Sequence, residues 1–303
     1  MTTPHIPPRI PPTAGGQRIV SISGAPYDGH PAPHMLESLA SIGATHVEPA
    51  YIVGYTEPFD ESAFTEARAV EYARALADAG IGCHAMSSHI DLGRPDALEV
   101  FQGRMRFAAR IGAKVINTNA AARVNEVRFF QHIEPLAKLA EELDLVIGLE
   151  NPGDGSDNLL NVAADGPALL ARIGHERVGL NYDAGNTISH RPGVPTAADA
   201  LAAMALCLHT HIKDVRRTPE GYFFTALGEG EIGCAEILHG LRTSPSSAAV
   251  SLSIEIPMRL HRGANAQPSR AAFRVPLADI EARLKAALGF VHHHLNLQQE
   301  SVA

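Results

Sequence analysis

Glu150, Asp183, His211 and Glu255 are side chains of the kinds that bind divalent cations, and they follow one another at separations of 33, 28 and 44 residues. Three carboxylates and an imidazole make a hard-to-borderline donor set that suits Mn²⁺, with Mg²⁺, Co²⁺ and Zn²⁺ as alternatives. A cation with open positions polarises a carbonyl and a neighbouring hydroxyl and stabilises the oxyanion that grows when the α-proton leaves. Return of the proton to the adjacent carbon gives isomerisation, return on the opposite face gives epimerisation, and loss of a β-hydroxyl gives dehydration. Glu150 and Glu255 are the candidates for moving that proton. His209 competes with His211 as a ligand. The two alternate along their segment and share one face, about 6.6 Å apart at roughly 3.3 Å per residue, so a single ion takes only one of them. The assignment falls on His211, with His209 in a supporting place in the core.

Residues so far apart need a frame that gathers them. From Arg18 onward a short β-branched run, a Gly/Pro or polar loop and an alanine-rich helical stretch recur. Strands are predicted over 18–23, 45–49, 82–88, 114–118, 145–150, 178–183, 208–213 and 250–255. Helical windows with apolar residues at three- and four-residue spacing fall at 63–79, 97–111, 126–142, 197–206 and 234–241. Gly80, Gly112 and Gly174 stand where helix C-caps are expected. Strands alternating with helices pair in parallel, and eight such units predict a closed (β/α)8 TIM barrel. The first strand is followed by GAPYDGHPAPH, not by the glycine fingerprint of an open dinucleotide-binding sheet. Barrel chemistry sits at the C-terminal strand ends, where these four residues fall.

The same rule nominates further residues at the mouth. Glu48 ends the second strand and is a candidate third acid or substrate contact. His89 ends the third strand, and Asn117 and Asn119 alternate on the fourth. Asn186 follows Asp183 by three residues, Lys213 shares a face with His211, and Arg217 with its neighbour Arg216 lies just beyond. All are expected to meet substrate oxygens. The segment 259–271 reads as a loop before the last helix.

The composition sets limits. The chain has 303 residues, a formal net charge of −8 and 45% hydrophobic residues, which is ordinary for a folded globular protein and wrong for a general polyanion binder. Cys83, Cys207 and Cys234 are scattered, so neither a disulfide framework nor a zinc cluster is expected, and a reducing cytoplasm is. No apolar run is long enough to span a membrane. Residues 1–17 form a Pro-rich arm without the apolar core of a secretory signal, 18–288 the barrel and 289–303 a tail that includes His292, His293 and His294. A homodimer or homotetramer is a further expectation.

Five motifs now bear on family: GLENPG at 148–153, NYDAGN at 181–186, HTHIKD at 209–214, LGEGEI at 227–232 and SIEIP at 253–257. With GATHVEP at 43–49 they resemble, in order and over 18–288, the xylose-isomerase-like barrel superfamily in its sugar phosphate isomerase/epimerase branch. That resemblance implies Glu150, Asp183, His211 and Glu255 as metal ligands, and the two glutamates as an acid and a base flanking a keto-sugar or cyclitol. Ketose 3-epimerases of the group carry Glu, His and Arg where this chain has Ser156, Asn186 and Arg217. Two of those three differ, and HTHIKDVR looks closer to the inosose dehydratase and isomerase relatives. A lyase, either an inosose-type dehydratase or a keto-sugar-acid decarboxylase, is therefore the main alternative to an isomerase or epimerase. A non-catalytic sugar-binding or accessory subunit is the minor one. Abasic-site endonucleases of the superfamily need a histidine where Asn186 stands, so a nucleic-acid substrate is not expected. The two glutamates of LGEGEI, Glu229 and Glu231, oppose a phosphate, and a non-phosphorylated substrate is favoured.

Overall fold

A computed structural model describes residues 18–297; the predicted arm at 1–17 lies outside the described residues, as does the chain beyond 297. The strands are β1 (Val20–Ser23), β2 (His46–Glu48), β3 (Ala50–Ile52), β4 (Gly82–Cys83), β5 (Ala85–His89), β6 (Val115–Asn119), β7 (Val146–Glu150), β8 (Val178–Asp183), β9 (Cys207–Ile212), β10 (Asp214–Thr218), β11 (Gly221–Thr225), β12 (Ser251–Ile254), β13 (Leu260–Gly263) and β14 (Pro268–Arg270). The helices are α1 (Ala32–Ser41), α2 (Glu66–Ala79), α3 (Ala97–Arg110), α4 (Glu126–Glu142), α5 (Gly166–Ile173), α6 (Ala184–His190), α7 (Thr196–Ala203), α8 (Cys234–Thr243) and α9 (Leu277–Leu295).

Ten strands form one parallel sheet in the order β3-β5-β6-β7-β8-β9-β12-β1-β2-β4. Its two ends are halves of the same extended segments. Pro49, which has no N–H to donate, separates β2 from β3, and His84 separates β4 from β5. The Pro49 carbonyl still accepts from Ser87 N at 2.9 Å, so pairing runs on across the break and the sheet closes. Eight barrel strands result, each at the position the β-branched runs predict. The predicted helix at 126–142 matches α4 (Glu126–Glu142), and Gly80 and Gly174 adopt left-handed geometry one residue past α2 and α5.

Three features were not anticipated. The segment 259–271 is not a loop: β13 and β14 join β10 and β11 in a four-stranded antiparallel sheet ordered β10-β11-β13-β14. The short α6 starts directly from Asp183. Finally, α9 runs on past 288 to Leu295, because Val291 and Leu295 pack into the main core; His292–His294 form its last turn.

The interior is layered. Most apolar residues fill the shell between sheet and helices. A separate small cluster of Ala85, Val115, Val146 and Leu208 makes an apolar floor inside the barrel. Residues two further along β5, β6 and β7 pair as Ser87, Asn117 and Gly148, a polar row above that floor. Next above come Asn119 and Glu150, with Asn181 paired to Glu150. A register shift between β8 and β9 at Leu180/Asn181 then sets His209 beside Asn181 and His211 beside Asp183. Among the described residues, no helix is long and apolar enough to cross a membrane.

Gly148 leaves the room this row requires. A Cβ there would lie 2.3 Å from Asn117 Oδ1, and Asn117 cannot swing aside without giving up its hydrogen bond to Glu48. Gly148→Ala is expected to cost about 1–3 kcal/mol through overpacking, measured by urea denaturation. An unchanged midpoint would show that the row is slack.

Candidate metal centre

Four elements ending at one level of the barrel supply the centre. Glu150 ends β7, Asp183 ends β8, His211 lies near the end of β9, and Glu255 follows β12. All four are buried. His211 Nδ1 is the hub, 3.2 Å from Glu150 Oε2, 3.6 Å from Asp183 Oδ2 and 3.6 Å from Glu255 Oε2. Atoms bound to one small dication at about 2.1 Å lie about 3 Å from one another, so this spacing fits a shared ion with slight contraction. His211 Nδ1 is buried without a hydrogen-bond partner, and Asp183 Oδ2 and Glu255 Oε2, which face it, have Lys213 Nζ beside them. A buried imidazole nitrogen left unpaired among three converging carboxylates is what a divalent cation satisfies. The residues present therefore fit the metal ion.

Charge leads to the same place. Glu48, Glu150, Asp183 and Glu255 are buried together, and the fixed cations buried beside them are Lys213 and Arg262. Two negative charges are left over, the amount one dication supplies. Burial by itself would lower the His211 imidazole; Glu150, Glu48 and Glu255 outweigh that and raise it well above its ordinary value. The field that draws a proton onto His211 draws a cation to the same nitrogen. Burial by itself would raise the Glu150 carboxyl, but His211 and His89 hold it well below the usual carboxylate range. Lys213 Nζ lies 2.5 Å from both Asp183 Oδ2 and Glu255 Oε2. It thus braces one side of the cluster. Gly185 makes space for it, since a Cβ there would meet Lys213 Cγ at 2.4 Å.

Glu48 stands elsewhere than at the mouth. It lies beneath His211, with no exposed surface. Its Oε1 is 3.1 Å from His211 Nε2 and its Oε2 is 3.0 Å from His209 Nε2. Ser87 Oγ and Asn117 Nδ2 also donate to Oε1, at 2.6 and 2.8 Å. Glu48, His209 and His211 do bring ligand-type atoms together, as do Glu150, Asp183 and His211. The first group is already consumed by hydrogen bonds, whereas the second opens toward the cavity. Burial would raise the Glu48 carboxyl, but His211 and His209 hold it well below the ordinary range. An ionised Glu48 accepts the proton on Nε2, which leaves the Nδ1 lone pair facing Glu150, Asp183 and Glu255. The strand-end reading placed Glu48 among substrate contacts; the break at Pro49 instead leaves it one layer down. Asn117 goes with it. His209, bonded through Nδ1 to Ser251 Oγ at 2.7 Å, is a supporting residue.

Above the centre is a cavity of about 350 Å³ whose lining includes Tyr55, His89, Asn119, Asn186, Lys213 and Glu255. His89 Nε2 stands 3.3 Å from Glu150 Oε2. Arg217 is not brought in. After Lys213 the chain leaves the barrel in the β10–β11 hairpin, and Arg217 is exposed there with its guanidinium 6.0 Å from the Tyr222 ring. Arg262 on β13 and Tyr55 escaped the sequence reading. Asn181, which donates to Glu150 Oε2 at 2.5 Å, was within reach, because it stands two residues before Asp183 on the same strand face.

The xylose isomerase-like TIM barrel family model matches residues 36–275, and the chain belongs to that family. No curated protein sequence matches it. Solved structures share the fold. A D-psicose 3-epimerase with D-tagatose, from Clostridium cellulolyticum H10, is 16% identical at a TM-score of 0.70, covering 92% of this chain and 99% of that one. A xylose isomerase-like TIM barrel protein from Mycobacterium smegmatis in complex with magnesium is 16% identical at 0.67, covering 92% and 97%. The probable 3-DHS dehydratase of Bacillus anthracis is 13% identical at 0.65, covering 89% and 97%.

Replacing Glu48 by Gln removes the anion that sets the His211 ring. Mn²⁺ affinity measured by isothermal titration calorimetry is expected to fall about 10–100-fold. Unchanged affinity would mean that Glu48 does not orient the ligand.

Proposed function

We propose that this chain is a divalent-cation-dependent isomerase or epimerase that moves a proton α to the carbonyl of a keto-sugar or cyclitol. The observation that carries the reading is the convergence of Glu150, Asp183 and Glu255 on His211 Nδ1 at the base of a cavity lined by polar side chains. A bound dication, Mn²⁺ by preference, supplies positive charge where an oxyanion grows on the substrate.

The chain's own residues do the rest. Glu255 lines the cavity and keeps Oε1 buried and unpartnered, so it is the carboxylate with an oxygen available to take the proton. Lys213 holds the other Glu255 oxygen in place. Glu150 has both oxygens engaged, Oε1 by Asn186 and Oε2 by Asn181, and serves more as a fixed support than as a free base. Asn119 and His89 face the same cavity and can meet substrate oxygens. The cavity's modest size suits a monosaccharide-sized ligand.

Elimination is the second reading, and a specific feature favours it. His89 Nε2 is buried beside Glu150 without a hydrogen bond of good geometry. A histidine so placed can pass a proton to a departing hydroxyl, which would make the same centre a dehydratase.

Incubating the Mn²⁺-loaded protein with ketoses and inososes in D₂O, followed by NMR, separates these readings. Deuterium entering a C–H next to a carbonyl with a new sugar formed is the expected result; loss of water would favour the lyase. Glu255→Gln is expected to slow exchange about 10²–10⁴-fold, the usual contribution of a positioned base. No exchange with any substrate would remove the enzyme reading, and a variant as active as the parent would remove Glu255 as the base.

A further inference from the structure

Arg262 is among the largest fully buried side chains, reaches the centre from β13, and has no carboxylate at ion-pair distance among the described residues. Its partners are neutral. Nε donates to Tyr55 OH at 3.0 Å and Nη2 donates to the same oxygen. Nη2 also donates to Asn186 Oδ1 at 2.6 Å, and Nη1 to Ser189 Oγ at 3.3 Å. The guanidinium lies against the Gly153 backbone, where a Cβ would come within 2.3 Å of it. A guanidinium only donates. It therefore fixes which way the Asn186 amide points: Oδ1 toward Arg262, and Nδ2 toward Glu150 Oε1 at 3.0 Å and Asn151 O at 2.9 Å. The Asn186 backbone N–H holds Asp183 Oδ1 at 3.1 Å. One asparagine thus secures two of the acids around His211.

We propose that Arg262 is a positioning residue for the metal centre: it locks the Asn186 amide, which holds Glu150 in its ligating pose and makes the two glutamates unequal. The inference rests on the reading above that the centre holds a divalent cation, and it assigns a reason for the asymmetry. With Glu150 tied through Oε1, Glu255 is the only one of the pair with a free oxygen. Tyr55, which accepts twice from Arg262, caps the arrangement on the cavity side.

The sign of one measurement separates positioning from charge. Removing a buried cation near a dication relieves repulsion, so an electrostatic role alone predicts tighter metal binding in Arg262→Met. Positioning predicts looser binding, by about tenfold, in the range for residues that orient metal ligands. Titrating Mn²⁺ into the full-length protein by calorimetry reads this without any assay of activity. Asn186→Ala is expected to lose a similar factor, and the double variant Arg262→Met/Asn186→Ala no more than Asn186→Ala alone, because both act through one amide. Should circular dichroism show that Arg262→Met does not fold, Arg262→Lys takes its place; it keeps the charge but cannot bond Tyr55 and Asn186 in the same plane, and the same loss is expected. Unchanged or tighter binding, or additive losses, would overturn the proposal while leaving the metal reading intact. A parent protein that binds no Mn²⁺ would overturn both.

Discussion

Four carboxylates buried close together inside one barrel repel one another, and much of the local structure serves to make that arrangement tolerable. Ionised groups withdrawn from water persist only where they are paired or hold a metal. Lys213 and Arg262 each bring one fixed charge, and two negative charges remain around the His211 ring, with Glu150, Asp183 and Glu255 on the Nδ1 side and Glu48 on the Nε2 side. The hydrogen bonds around the centre do not add charge; they decide which oxygen faces which way. Asn181 and Asn186 divide the two Glu150 oxygens between them, Asn151 accepts from Asp183 N at 2.8 Å, and Glu48 orients His211 from below.

That division depends on features of the fold that carry no chemistry. The apolar floor of Ala85, Val115, Val146 and Leu208 keeps the polar layers near the C-terminal end of the barrel. The β8–β9 register shift places His211 opposite Asp183. The antiparallel sheet beyond β9 carries Arg262 over the mouth, so the centre is supported from beneath by barrel strands and from above by an insertion. Preorganisation of this sort holds the ligands close to their working geometry before an ion binds.

The barrel was legible because its evidence is local. Strands of alternating or continuous apolar residues, helices with a three- and four-residue period, and left-handed glycines all announce themselves within a few residues. The convergence of Glu150, Asp183, His211 and Glu255 was legible for the same reason, since strand ends in a barrel share one level. Glu48 misled because it also ends a strand segment, yet that segment continues past Pro49 and leaves the acid inside the barrel. Arg217 misled because the hairpin begins immediately after Lys213, and counting from His211 gives no hint that the chain has left the barrel. Arg262 was out of reach: its strand pairs with β11 some forty residues earlier in sequence, and the stretch RLHRGANAQPSRA shows neither strand nor helix period.

The central claim is that the cation binds on the Nδ1 side of His211. The most direct test is anomalous diffraction at the manganese edge from crystals of the protein grown with Mn²⁺. The account predicts one strong peak within ligand distance of His211 Nδ1, Glu150, Asp183 and Glu255. A peak on the Nε2 side, shared with Glu48 and His209, or no peak with Lys213 alone bridging Asp183 and Glu255, would contradict it.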